Sequence, residues 1–99
     1  MLGIKMGKRG RKKLVDKILE VIKGEDEKGE YLIVYDLPTT HMPKELYIAL
    51  QHLMDKGFFL MRVQKSVYLT NSSMVALAVR EIVKHYGGEA KIYKIEKEL

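Results

Sequence analysis

Apolar residues in the first quarter of the chain fall at Leu14, Val15, Ile18, Leu19, Val21 and Ile22, behind a polar and basic first turn. Spacings of three and four predict one amphipathic helix over residues 8–23. Gly24 suits a left-handed helix end, and GEDEKGE then reads as a charged, turn-rich linker of low β-propensity. The pattern changes at residues 31–35, YLIVY, a short apolar run bounded by that linker and by Asp36-Leu37-Pro38. Such a run predicts a buried strand. Pro43 fits the first turn of a helix with Thr40 or His41 near its cap. Leu46, Ala49, Leu50, Leu53 and Met54 give that helix one apolar face, and Gly57 stops it.

Residues 58–63 and 66–70 are rich in aromatic and branched side chains, and Gln64-Lys65 between them is short enough for a tight hairpin. TNSS then offers several helix caps. Val75, Ala78, Val79, Ile82 and Tyr86 mark a second amphipathic helix that ends at Gly87-Gly88. Residues 89–95 form a last strand. The order is β-α-β-β-α-β, in which two right-handed crossovers put both helices on one face of a single antiparallel sheet. The expected fold is therefore α+β and ferredoxin-like, preceded by an N-terminal amphipathic helix. Residues 1–30 form a basic helical arm and linker, and residues 31–99 the ferredoxin-like domain.

Ninety-nine residues can close one modest core, so a large substrate must be handled on the surface or between subunits. The net charge of +5 is uneven: residues 1–24 carry eight Lys/Arg against Asp16 and Glu20, while residues 25–99 carry ten against eleven acids. The basic character belongs to the arm. The absence of cysteine excludes disulfides, thiolate metal sites and a cysteine nucleophile, and points to a cytoplasmic setting. The longest apolar run falls far short of the roughly 20 residues that span a bilayer. No continuous apolar segment follows the basic start as in a signal peptide.

The segment KMGKRGRKK packs Lys8, Arg9, Arg11, Lys12 and Lys13 closely enough to neutralise successive phosphates, with Gly7 and Gly10 letting it follow a backbone. A solubilising tail, or a cationic helix docked on an acidic protein, is the other reading. Aromatic residues are not interleaved, so base stacking and sequence readout are not indicated.

Taken in order, LIVYDLP, GFFLMRVQKSVYLTN and AKIYKI, with two helices between them, resemble the CRISPR-associated protein two family, the small homodimeric partner of the spacer-acquisition integrase. They also resemble the related C-terminal domain of phenylacetate-operon repressors. The resemblance covers about residues 31–95, and RVQKSVY after a glycine-ended helix is its most specific part. It implies a ferredoxin-like homodimer that contacts DNA or RNA, with an integrase or a regulatory protein as further partner. It also implies an acid at the end of the first strand, which in metal-dependent nucleases of the family faces its copy across the dimer. Asp36 holds the matching position, and Arg62, Lys65 and Ser66 in the family-like hairpin join the arm as candidate phosphate contacts. Two departures are the arm itself, since family members commonly begin with the first strand, and TTHMPKEL after the acid, where Lys44 stands as nearest cation instead of an arginine.

Asp36 has a chemical rationale as catalytic residue and metal ligand, because Mg²⁺ or Mn²⁺ prefers carboxylate oxygen and takes phosphate as a further ligand. Such an ion polarises a phosphoryl oxygen or activates water. A turn acid bonded to nearby backbone N–H groups is the competing reading. His41, His52 and His85 have neither i, i+4 spacing nor a nucleophile assigned to them; His41, nearest Asp36, alone is retained as a candidate base. Ser72 and Ser73 most simply cap the second helix. Met54, Met61 and Met74 read as core or interface filler. Asp36 has no second carboxylate nearby in sequence, and a symmetric dimer, pairing through an edge such as residues 90–95, would supply one. The functional expectation is a nucleic-acid-binding homodimer, with metal-dependent endonuclease activity carried by Asp36. The alternative is a non-enzymatic nucleic-acid-binding regulator or mobile-element interaction protein.

Overall fold

The computed structural model describes residues 14–22, 24–38 and 43–96. In chain order these form α1 (Leu14–Val21), β1 (Lys28–Asp36), α2 (Lys44–Asp55), β2 (Leu60–Gln64), β3 (Val67–Ser72), α3 (Ser73–His85) and β4 (Glu89–Ile95). The result is an α+β domain with one four-stranded antiparallel sheet, ordered β2-β3-β1-β4.

Alternation along the strands sorts their side chains onto two faces. Tyr31, Ile33 and Tyr35 of β1, Leu60 of β2 and Tyr68, Thr70 and Ser72 of β3 are buried under α2 and α3. From the helices come Leu46, Leu50 and Leu53 of α2 and Val75, Val79, Ile82 and Val83 of α3, all fully buried. Thr70 is tolerated there because its hydroxyl donates to the Phe59 carbonyl at 2.6 Å. The short α1 contacts both α2 and α3, and its Val15 and Ile18 join the same core cluster. Val21, placed by spacing on the apolar face, is instead 65% exposed near the helix end.

The segment expected to be a charged, turn-rich linker is engaged at its centre. Asp26 accepts hydrogen bonds from the Ser72 hydroxyl at 2.6 Å and the Met74 N–H at 3.2 Å, while Glu27 exchanges two bonds with Ser73. Ser72 caps α3 by accepting from the Val75 N–H at 3.2 Å. Three residues thus satisfy the orphan donors of one helix start. Strand β1 begins directly afterwards, at Lys28, three residues earlier than its apolar run suggests.

Two smaller boundaries also move. The hairpin turn is Lys65-Ser66, one residue later than expected, and Ser66 takes a positive φ of 72°, alone among the described non-glycine residues. Pro43 is the extended N-cap of α2 and not its first turn, its carbonyl accepting from Leu46 and Tyr47 N–H. Thr40 and His41 lie outside the described residues. No helix among the described residues is long and apolar enough to cross a membrane.

Candidate functional site

Asp36 is the last residue of β1 and is exposed. The strands bring three other segments to this end of the sheet: the Lys65-Ser66 turn, the start of β4 and the residues after α3. The Tyr35 N–H donates to the Ser66 carbonyl at 3.0 Å, fixing the hairpin turn one residue from the acid. Lys65 and Ser66 are thereby gathered with Asp36. Arg62, also exposed, lies opposite Tyr68, on the parity that faces the helices and not on that of Asp36.

Arg62 does influence the tyrosines beneath it. Burial raises the phenol pKa of both Tyr35 and Tyr68, and the positive charge of Arg62 partly opposes this. Their rings pack at 6.1 Å between centroids with a 31° tilt. Both remain neutral and apolar in character at neutral pH, and so support the sheet end from below.

Glu89, the first residue of β4, is the direct cross-strand partner of Asp36. Opposed residues of an antiparallel pair have Cα atoms about 4.5–5.5 Å apart with side chains on one face. A second carboxylate therefore stands beside Asp36 within one chain, and symmetry is not needed to supply it. Sequence reasoning missed Glu89 because it sought a neighbour along the chain. The signal was available: in the expected fold β4 runs antiparallel to β1, so the start of one strand meets the end of the other.

A hollow of about 250 Å³ lies beside the pair, lined by Asp36, Leu37, Pro38, Gly87, Gly88 and Glu89. Its glycine wall is demanded by packing. A Cβ on Gly88 would stand 2.5 Å from the Asp36 carbonyl oxygen and 2.8 Å from Leu37 Cδ2, and Gly87 has a φ of 88°. The α3 exit and the β1 end are thus locked together. No group of three or more His, Cys, Asp and Glu capable of holding a metal occurs among the described residues. Two carboxylates suit Mg²⁺ completed by substrate phosphate and water, and not a closed protein cage.

The other candidates separate. His52 is half-buried in a hollow with Leu14, Val15, Glu45 and Tyr86, and His85 packs edge-on against Tyr86 at 4.9 Å. Ser72 and Ser73 serve the start of α3, as above. Met61 is 46% exposed on the open sheet face, whereas Met54 packs against the core. Lys8, Arg9, Arg11, Lys12 and Lys13 lie outside the described residues. The first described residue, Leu14, shares its hollow with Glu45 in the first turn of α2 and with Tyr86, next to Gly87. Asp16, two residues on, pairs with Lys56 just past the other end of α2 at 2.6 Å, so α1 begins alongside α2 and α3.

Comparison with known proteins gives no match to a family model, a curated protein or a solved structure.

Proposed function

We propose that this chain is a nucleic-acid-binding homodimer with a ferredoxin-like fold, similar to the CRISPR-associated protein two family, and that Asp36 is its metal-binding catalytic acid. Read from the β4 edge, the sheet order is 4-1-3-2, and each β-α-β crossover spans one intervening antiparallel strand. That order supports the split βαβ reading of the fold. The observation that carries the function is the convergence of Asp36, Lys65 and Ser66, distant in sequence, at one sheet end with Glu89 opposite the acid. Lys8, Arg9, Arg11, Lys12 and Lys13 precede the described domain in sequence and would add phosphate-binding cations to Lys65.

Asp36 and Glu89 would hold Mg²⁺ or Mn²⁺, which supplies polarisation of a phosphoryl oxygen and an acidified water. The lysines and arginines hold the phosphodiester strand, and the Ser66 hydroxyl can donate to a phosphate oxygen. Binding through the arm is separable from turnover at the acid. Asp36→Asn is expected to abolish Mg²⁺-stimulated cleavage of an oligonucleotide while changing its affinity less than about threefold, since the cations remain. Cleavage by the variant at the wild-type rate removes Asp36 from catalysis. Binding without any metal-stimulated cleavage by the wild type leaves the non-enzymatic regulator as the reading.

A further inference from the structure

A second hollow, of about 500 Å³, lies between α3 and the edge strand β4 and is lined by Arg80, Lys84, Gly87, Gly88, Glu89, Ala90 and Lys91. None of its three cations was among the candidates read from the sequence. We propose that this groove holds the phosphodiester backbone of a nucleic acid and leads it to Asp36, an inference that rests on the nucleic-acid reading above and extends it to a specific surface.

Four observations carry it. Arg80 and Lys84 stand at i, i+4 on α3, so their like charges share one face, an arrangement that disfavours the pair unless an anion lies between them. Arg80 is half-buried, yet makes no ion pair among the described residues. Lys84 reaches only Glu81, at 3.7 Å, in a largely exposed pair of little strength. Lys91 lines the groove from the β4 edge; it stands opposite Val34 on the sheet face of Asp36 and Glu89, exposed and without an ion pair among the described residues.

The groove and the Asp36 hollow share Gly87, Gly88 and Glu89. They are two parts of one surface, joined where side chains are absent and a strand can approach the backbone. Lys84 also complements the negative end of the α3 dipole, which accounts for one cation near the last turn. It does not account for Arg80, a full turn earlier, or for Lys91 on another element. A chain of phosphates is favoured over a single one because the three cations are spread over a helix and a strand edge, on a surface that adjoins the carboxylate hollow.

The test is fluorescence anisotropy of labelled single-stranded and duplex oligonucleotides with the full chain between 50 and 200 mM salt. Arg80→Ala with Lys91→Ala is expected to flatten the slope of log affinity against log salt by about 1.8 for duplex and about 1.4 for single strand, two phosphate contacts' worth. The pair Arg80→Gln with Lys91→Gln keeps the Arg80 stem, so an equal loss in both pairs identifies charge and not packing as the cause. Lys28→Ala, at the far end of β1 from Asp36, is the control and is expected to leave the slope unchanged. An unchanged slope in both double variants, with intact wild-type binding, overturns the groove and leaves the arm and Asp36 reading standing. No binding by the wild type at 50 mM salt overturns both. Displacement of oligonucleotide by inorganic phosphate at equal phosphate concentration overturns the polymer in favour of a single-anion site.

Discussion

At the scale of single residues, the positions that matter most are those whose partners are far away in sequence. Asp26 looks like one acid among several in a solvated stretch, yet it receives the Ser72 hydroxyl and the Met74 N–H from across the fold. Those bonds, the Ser72 one foremost, hold its pKa below the usual carboxylate value. A folded-state pKa below the unfolded one contributes stability that is fully present above the unfolded value, near 3.8, and is lost as pH falls through the lower folded value. Asp26→Asn is therefore expected to lower stability at pH 7 by about 0.5–1 kcal/mol, at the modest end for a cap because the carboxylate is exposed. Melting curves at pH 7 and at about pH 2.5 check this: the gap between wild type and variant should narrow toward zero at the lower pH. A gap independent of pH would mean that the amide is lost for its shape and not its charge. Gly88 has the same lesson in steric form, since nothing beside it in sequence announces that the Asp36 carbonyl fills the space of its Cβ.

At the scale of elements, α1 tests how the arm relates to the rest of the chain. Gly24 and the charged stretch after it set the arm apart from the domain in sequence, but Val15 at 1% and Ile18 at 8% exposure lie in the common core with α2 and α3. Truncation before Leu14 removes no described buried residue, and is expected to leave the melting temperature within a few degrees while weakening salt-sensitive oligonucleotide binding. Truncation through Gly24 removes two buried aliphatic side chains and the α1 packing, and is expected to cost about 3–5 kcal/mol. Equal melting curves for the two truncations would show that α1 adds nothing to the core. The elements themselves were legible: periodicity found both core helices and all four strands, and β4 matched its expected bounds. What periodicity could not show was pairing. Lys28 to Glu30 lack apolar alternation and enter β1 because β4 continues opposite Glu30 and β3 opposite Lys28. The hairpin moved by one residue through the irregularity between Arg62 and Gln64, a feature of ladder geometry and not of residue type. For the same reason Asp36 could be picked from its place at a strand end, while Glu89 and the Arg80–Lys84–Lys91 groove required the register and the helix-on-sheet packing.

At the scale of the molecule, the sheet covers only one of its faces with helices. Across the other runs a row from edge to edge, Met61, Leu69, Leu32 and Tyr93, one residue from each strand in direct cross-strand register. Its ends are about half exposed, Met61 at 46% and Tyr93 at 52%, and Val34 at 40% adjoins it. An apolar stripe of this width on an open sheet is the kind of surface that marks an interface. With Glu89 available to Asp36 in one chain, the case for a homodimer no longer needs a shared metal and passes to this face. Two sheets packed face to face at about 10 Å would bury the row against its copy. A standard interface takes about 800 Å² from each partner. Four strands spaced about 4.8 Å apart and about seven residues long at 3.3 Å per residue present a footprint of roughly 400 Å², so flanking side chains must contribute. The alternative dimer pairs the β4 edges and leaves the row open. Met61 separates the two, because β2 is the edge farthest from β4. Light scattering at micromolar concentration is expected to give a dimeric mass for the wild type and a monomeric one for Met61→Lys, with little change in melting once the monomers are compared, since the side chain is half exposed before association. A Met61→Lys chain that stays dimeric assigns the contact to the β4 edge, and a wild type that remains monomeric as concentration rises removes the dimer altogether.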